Sequence, residues 1–282
     1  MSKKVAITTE SAADLSKKAQ KELDVSVMPL TVLIGDEEYR DGVDLTTAEL
    51  FEKSELYSAV PKTAGISPHD YKVVFEALCE KGFDVVHVAL SSKLSSCFQN
   101  ASFAANSFEN VFVVDSLNLS AGMALPVFEA ARLRDEGKSA KEIFSSLEKL
   151  KHKVKTSFVL DDLEFLEKGG RCTAAKKLAA DLFSLHPSVD VVDGELLPGK
   201  SFFGNGLSPK KKYIEEKLRS SKADKSLCFL NHSCVPQDEI DELSLFLKKS
   251  FSFEKVLSFE AGCTISSHCG KGCVGIIFTS AD

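Results

Sequence analysis

Residues 84–116 read DVVHVALSSKLSSCFQNASFAANSFENVFVVDS, and they contain a strand, a helix and a second strand. The runs 84–90 and 111–114 are short, apolar and rich in valine, which is typical of buried strands. A serine-rich turn and a helix-like segment, residues 98–108, separate them. This order predicts a right-handed crossover between parallel strands. The stretch therefore indicates an open parallel sheet covered by helices.

The same alternation of strands and helices extends through the first half of the chain. Strand-like runs occupy residues 4–9 and 25–35. Predicted helices begin at three capping boxes, in which a serine or threonine is followed three residues later by an acidic residue. The boxes are Ser11 with Asp14, Thr46 with Glu49, and Ser139 with Glu142.

The second half has a different pattern. Its strand candidates are more numerous, and an Asp-Gly pair between two apolar runs predicts a hairpin. The strand candidates are residues 156–160, 189–199, 226–233, 253–261 and 274–280, with helices near 208–220 and 236–250. We therefore predict an N-terminal open parallel-sheet α/β domain, residues 1–155, and a C-terminal mixed α/β domain, residues 156–282.

Composition narrows the possible partners. The net charge is −6 and no long basic run occurs, which argues against a nucleic-acid partner. No apolar stretch approaches the roughly 20 residues that span a bilayer, so we expect no stable membrane insertion. The N-terminus lacks the apolar core of a signal peptide, and we expect a cytoplasmic protein with reduced thiols. Twenty phenylalanines with no tryptophan suit an apolar core or cavity.

Residues 194–201, GELLPGKS, match the G-x-x-x-x-G-K-[ST] pattern of a phosphate-binding loop. Such a loop opens a helix, whereas two glycines and a proline follow this match before any helical pattern. Leu196, Leu197 and Pro198 are also too bulky to wrap a phosphate. The match is better explained as a hairpin with Asp193-Gly194 as its turn. A phosphotransfer enzyme using this segment stays an alternative.

Hydroxyl groups cluster where the first-half strands end. They lie in residues 8–11, 91–96 and 115–116. In an open parallel sheet these ends meet at one edge, where ligands bind, and hydroxyls with helix amides form an anion site. The same residues also serve as ordinary helix caps. A hydrolase using a cleft serine is a further alternative, although no G-x-S-x-G motif is present.

The segment 262–273, GCTISSHCGKGC, concentrates three cysteines and His268. Its spacing matches no common zinc motif, so no metal is predicted. We expect a glycine-rich turn between two buried strands. His268 could instead donate a hydrogen bond to an anion in a cleft.

The chain resembles the DegV family of bacterial fatty-acid-binding proteins in six segments that occur in the family's order. Residues 8–15 look like TDS-x-x-DL, 61–68 like PKTSQPSP, 91–95 like SS-x-LSG, 114–122 like VDS…S-x-G, 163–171 like L-x-YLKKGGR, and 268–272 like H-x-GPG. Each segment is weak alone, but together they span residues 8–272, so the resemblance extends along essentially the whole chain.

This resemblance implies a long-chain fatty acid buried in a cleft between the two domains. The family pattern implies a carboxylate held by Thr63, Ser95 and His268. It also implies a supporting set beside them: Ser92, Arg171, Gly270 and Gly272. Members of the family are carriers without catalytic activity or a cofactor, and they present the fatty acid to a separate fatty-acid kinase.

Three departures from the family pattern stand out. The Ser-Gln pair of PKTSQPSP is missing, and LSGT has become residues 94–97, Leu-Ser-Ser-Cys. The family's Lys-x-Arg pair falls on Ser201 and Phe203, with Lys200 one place out of register. If that basic pair docks the kinase, docking differs in this chain.

Overall fold

A computed structural model describes residues 4–161, 163–171, 185–219 and 221–281. Within these ranges the strands form three sheets. The strands are β1 (Lys4–Glu10), β2 (Val25–Met28), β3 (Thr31–Ile34), β4 (Glu37–Arg40), β5 (Lys62–Ala64), β6 (Phe83–Ala89), β7 (Val111–Asp115), β8 (Val154–Val159), β9 (Leu185–Val192), β10 (Glu195–Phe203), β11 (Ala223–His232), β12 (Lys255–Glu260) and β13 (Val274–Ser280). The helices are α1 (Lys17–Glu22), α2 (Thr47–Leu56), α3 (Pro68–Glu80), α4 (Cys97–Ala105), α5 (Ala121–Asp135), α6 (Ala140–Leu150), α7 (Glu164–Gly169), α8 (Ser208–Arg219), α9 (Gln237–Phe251) and α10 (Cys263–Cys269).

The first sheet is parallel throughout, with strand order β2-β1-β6-β7. Strand β6, helix α4 and strand β7 form the crossover that residues 84–116 predict. Val85 and Val86 are adjacent on β6 and both are fully buried. Adjacent strand residues point to opposite faces, so both faces of the sheet are covered. The predicted open parallel-sheet α/β architecture is confirmed.

A second, three-stranded antiparallel sheet has the order β4-β3-β5. This sheet is not among the elements predicted from the sequence. The apolar run 25–35 is split at Pro29 and Leu30, so that β2 joins the parallel sheet and β3 leaves it. Strand β5 pairs with β3, and Thr63 lies opposite Val32. This pairing brings a candidate ligand residue to the boundary between the two halves of the chain.

The third sheet contains six strands in the order β10-β9-β8-β13-β11-β12, and only β11 and β12 are parallel. It is the predicted mixed sheet of the second half. One apolar core runs across both halves: Phe128 of α5 packs against Phe229 and Phe259 with ring centroids 5.5 and 6.2 Å apart. The domain boundary at residues 155 and 156 falls inside β8 and stays a prediction.

Two of the three predicted capping boxes form, at Thr46 with Glu49 and at Ser139 with Glu142. The box at Ser11 is wrong. Residues Ser11–Ala13 make one 3-10 turn, Asp14 adopts φ +54°, and α1 begins later, capped by Ser16. The Asp14 carboxylate does not complete a capping box, because it accepts a hydrogen bond from the backbone N–H of Gly262, at 2.8 Å, in the other half of the chain.

The predicted glycine-rich turn at 262–273 is also partly wrong, because Cys263–Cys269 form helix α10. The carboxylate of Asp41 accepts hydrogen bonds from the N–H groups of Cys263, at 2.8 Å, and Thr264, at 3.1 Å. These amides at the start of the helix have no partner within it. Their cap lies more than two hundred residues earlier, so no local pattern reveals the helix.

Candidate functional site

An apolar cavity lies between the parallel sheet and the six-stranded sheet. The space inside it, including the part that is continuous with solvent at its opening, is about 910 Å³. Nine aliphatic and aromatic side chains from both halves line it: Leu30, Leu90, Leu94, Leu119, Phe158, Leu166, Leu196, Ile265 and Ile277.

Three of the predicted ligand residues meet on this wall. Thr63 comes from β5, Ser95 from the turn before α4, and His268 from the end of α10. Thr63 Oγ1 and His268 Nε2 are 2.9 Å apart, a hydrogen bond that joins residues 205 positions apart. The cavity therefore has hydroxyl and imidazole groups beside a largely apolar surface.

Gly65 packs closely against the turn that carries Ser95. A Cβ atom at Gly65 would lie 3.2 Å from Cys97 Sγ, 3.2 Å from Ser96 Oγ and 3.3 Å from Ser95 Oγ. These contacts are tighter than ordinary van der Waals distances. This geometry links two departures from the family pattern. The side chain lost where the family has glutamine, at position 65, makes room for the one gained where it has glycine, at Ser96.

His268 is neutral at pH 7. Burial, and then the charge of the nearby Arg171 guanidinium, lower its pKa to about 4. With the hydrogen on Nε2, the ring donates to Thr63 Oγ1 and leaves the Thr63 O–H free to donate to an anion. His268 Nδ1 has no hydrogen-bond partner among the described residues, so this tautomer avoids burying an unpaired N–H.

The supporting residues lie at different distances from the cavity. Arg171 lines it, is exposed to solvent, and donates from Nη1 to the carbonyl of Gly169 at 2.9 Å. Ser92 does not line it; its N–H donates to Asp115 at 3.2 Å. Gly270 and Gly272 have φ values of +71° and +78°, which let the chain turn from α10 into β13. At Gly272 a Cβ would also overlap the Asp161 carboxylate.

The segment 194–201 forms a hairpin and not a phosphate loop. Strand β10 pairs antiparallel with β9, and Lys200 and Ser201 lie within β10. The Lys200 ammonium pairs with Glu216 at 2.8 Å. The turn supports the ligand site, because Ser91 Oγ donates to the Gly194 carbonyl at 2.8 Å. This contact holds the loop that carries Ser95.

The described residues at this site form neither a serine–histidine–carboxylate triad around His268 nor a group of metal ligands. His268 bonds Thr63, and the unpartnered Nδ1 means that no carboxylate orients the ring as in a catalytic triad. No group of three or more histidine, cysteine or acidic side chains suited to a metal occurs in the described ranges. The seven cysteines there form no disulfide with one another, and Cys172 lies outside the described residues.

Sequence reasoning missed a second polar cluster, at the contact between the two halves. The Asp14 carboxylate accepts hydrogen bonds from the Ser120 hydroxyl, the Gly262 N–H and the Asn231 side-chain amide. Burial raises the pKa of Asp14 to about 7, although these donors lower it. Ser120 and Asn231 line the cavity. The signal that could have revealed Asn231 is a buried polar residue directly after the apolar run 227–230.

None of the helices in the described part of the chain combines the length and apolar character that a bilayer crossing requires.

Comparisons with known proteins agree over the full length of the chain. A family model described as "Uncharacterised protein, DegV family" matches residues 4–281. A DegV domain-containing protein of Halalkalibacterium halodurans is 31% identical over 279 residues, which cover 97% of each chain. The structure of a DegV family protein from Thermus thermophilus, reported for its fatty-acid binding, superposes with a TM-score of 0.89 at 28% identity, over 98% of this chain and 99% of that one. A stearic acid-binding protein of Eubacterium ventriosum superposes with a TM-score of 0.83 at 25% identity, over 98% of both chains. This chain belongs to the DegV family.

Proposed function

We propose that the protein binds a long-chain fatty acid in the cavity between its two halves, with the carboxylate held by Thr63, Ser95 and His268. The observation that carries the proposal is an apolar cavity with these three side chains on its wall. The fatty acids bound by the Thermus thermophilus and Eubacterium ventriosum relatives support it.

Each residue near the proposed carboxylate position has a distinct electrostatic role. An anion buried without partners is strongly disfavoured, so a carboxylate in this cavity requires hydrogen-bond donors. The Thr63 and Ser95 hydroxyls supply them, and neutral His268 orients Thr63 through the 2.9 Å contact. The guanidinium of Arg171, at the solvent-exposed part of the wall, supplies the compensating positive charge. Ser92, Gly270 and Gly272 shape the two loops around this group.

The protein acts as a carrier and not as an enzyme in this proposal. It holds the fatty acid in the cytoplasm and presents it to a separate fatty-acid kinase, without a cofactor of its own. Ser201 and Phe203 occupy the family's basic positions, so the kinase would meet a surface of different charge. The alternative is a hydrolase or phosphotransferase that uses a cleft serine or residues 194–201. It requires activation of Ser95 or a loop geometry at 194–201 that the hairpin lacks.

The test is to identify what the purified protein retains. Native mass spectrometry should show a bound mass of roughly 250–300 Da, the size of a fatty acid with a chain that fits such a pocket. The double variant Thr63→Val with Ser95→Ala should lose it while keeping the parent's circular dichroism spectrum. Each lost donor should cost roughly 1–3 kcal/mol, or about 5- to 150-fold in affinity.

Two neighbouring residues provide matched controls. Thr31 pairs with Ala64 in the same sheet as Thr63, and Ser96 follows Ser95; neither lines the cavity. Thr31→Val with Ser96→Ala should retain the fatty acid. Unchanged lipid occupancy in the head-group variant would refute the assignment of Thr63 and Ser95, and a co-purifying nucleotide without lipid would favour the enzyme alternative.

A further inference from the structure

Three residues of the cavity wall carry buried oxygen atoms that lack a hydrogen-bond partner among the described residues. They are Thr156 Oγ1, Asn231 Oδ1 and Thr264 Oγ1. These residues are 7%, 8% and 3% exposed, so solvent does not satisfy them. Folded proteins leave few such groups, and each one weakens the folded state by roughly 5- to 150-fold in an equilibrium constant. Three such oxygens in one cavity are hydrogen-bonding groups that a bound ligand can satisfy.

The three oxygens come from α10, β11 and β8, and not from the segments that carry Thr63 and Ser95. Thr264 precedes His268 by four residues on α10, so their Cβ atoms are about 6 Å apart on the same helix face. Gly262, at the start of that helix, bonds Asp14, which in turn accepts from the Asn231 amide. Thr156 is adjacent to the beginning of α5, because a Cβ at Gly122 would lie 2.6 Å from its Oγ1. The three residues therefore lie along one series of contacts, from the helix that carries His268, through the Asp14 cluster, to the beginning of α5.

The hydrogen-bonding character of these oxygens selects the ligand group. The Asn231 amide nitrogen donates to Asp14 Oδ2 and to the Ser120 hydroxyl oxygen, and these contacts orient Asn231 Oδ1 as an acceptor without a donor. The two threonine hydroxyls can donate or accept. A hydroxyl on the acyl chain can donate to Asn231 and accept from a threonine, whereas a ketone can only accept and a plain methylene does neither.

We infer that the cavity is built for a long-chain fatty acid that carries a hydroxyl group along its chain, with Thr264, Asn231 and Thr156 as the hydroxyl subsite. This inference rests on the proposed function, because it assumes a fatty acid with its carboxylate at Thr63 and Ser95. Extended chains advance about 1.2 Å per bond, so the subsite begins about five bonds from the carboxyl carbon.

The experiment measures the affinity of the delipidated chain for octadecanoic acid, for a series of its positional hydroxy isomers, and for the matching oxo acids. At least one hydroxy isomer beyond the fifth chain carbon should bind 5-fold or more tightly than octadecanoic acid, and more tightly than its oxo counterpart. Equal or weaker binding of every hydroxy isomer, while octadecanoic acid binds well, would overturn the hydroxyl subsite alone. If none of the acids binds, the proposed function itself fails.

Substitutions of the two threonines test whether this subsite causes the preference for a hydroxy acid. Thr156→Val and Thr264→Val remove unpartnered hydroxyls with little change in shape, so both should fold, erase the preference for the hydroxy acid and leave octadecanoic acid binding within about 2-fold. Thr31→Val, outside the cavity, is the matched control and should keep the preference. A preference that persists in both cavity variants would contradict the assignment, since water or a different part of the wall would then bind the hydroxyl.

Discussion

Replacing Asp14 with asparagine removes a titrating carboxyl from the contact between the two halves of the chain. In the folded protein the Asp14 pKa is about 7, against an ordinary value of 3.8, chiefly because burial disfavours the charged form. The neighbouring Asp41 raises it further, and the hydrogen bonds from Ser120, Gly262 and Asn231 lower it. Between these two pKa values the folded protein retains a proton that the unfolded chain has released.

The magnitude follows from linkage between protonation and folding. One pH unit corresponds to about 1.36 kcal/mol for a single group. Over the interval from 3.8 to about 7, the Asp14 contribution to the free energy of unfolding should therefore fall by about 4 kcal/mol as the pH rises. The contribution is fully present below pH 3.8 and is lost as the pH approaches 7.

The assay is urea unfolding of the parent and of Asp14→Asn at closely spaced pH values between 4.5 and 7.5, compared by slope. Asparagine accepts fewer of the three hydrogen bonds, which changes the variant's stability by a pH-independent amount, so the slopes and not the absolute stabilities are compared. His268 contributes in the opposite direction to both proteins: its pKa of about 4 means that stability is lost as the pH falls from 6.5. Subtracting the variant's stability curve from the parent's removes the His268 contribution and leaves the contribution of Asp14.

The difference curve should fall by about 1.36 kcal/mol per pH unit between pH 5 and 6.5. Asp36→Asn, at an exposed turn position, is the matched control and should leave the parent's slope unchanged. A flat difference curve for Asp14→Asn would show that the buried carboxyl titrates at its ordinary pH and would refute this account of the contact.

Three further predictions follow from the site. Gly65→Ala should weaken binding of octadecanoic acid by about 10-fold in a fluorescence displacement titration, because the added methyl group presses on the Ser95 loop. Adding Ser96→Gly should restore binding. If binding is not restored, Ser96 does not compensate for the glycine at position 65. Thr156→Val should raise the free energy of unfolding by about 1 kcal/mol, since it removes an unpaired buried hydroxyl; destabilisation in urea unfolding would mean that this oxygen has a partner in solution. Lys200→Ala should leave calorimetric ATP binding undetectable, as in the parent, because this lysine pairs with Glu216 on a strand; a parental ATP affinity that the change abolishes would overturn the hairpin interpretation.

The amino-acid sequence alone determined the elements whose signals are local. Valine-rich runs on either side of a helical pattern indicate the parallel β6-α4-β7 unit, because period and burial are properties of contiguous residues. The capping boxes at Thr46 and Ser139 and the Asp193-Gly194 hairpin were predicted for the same reason. The family resemblance added the residues of the candidate head-group site, which periodicity could not supply.

Only the tertiary structure decided how distant segments meet. The Thr63–His268 contact, the capping of α10 by Asp41 and the bridge from Asp14 to Gly262 join residues separated by 205, 222 and 248 positions. The predicted box at Ser11 does not form because Asp14 instead accepts a hydrogen bond from the Gly262 amide. Without Asp14 that amide would be buried without a partner, which costs more free energy than the loss of a local cap. Local propensity is a weak term, whereas an unsatisfied buried polar group is a strong one, so the long-range partners prevailed.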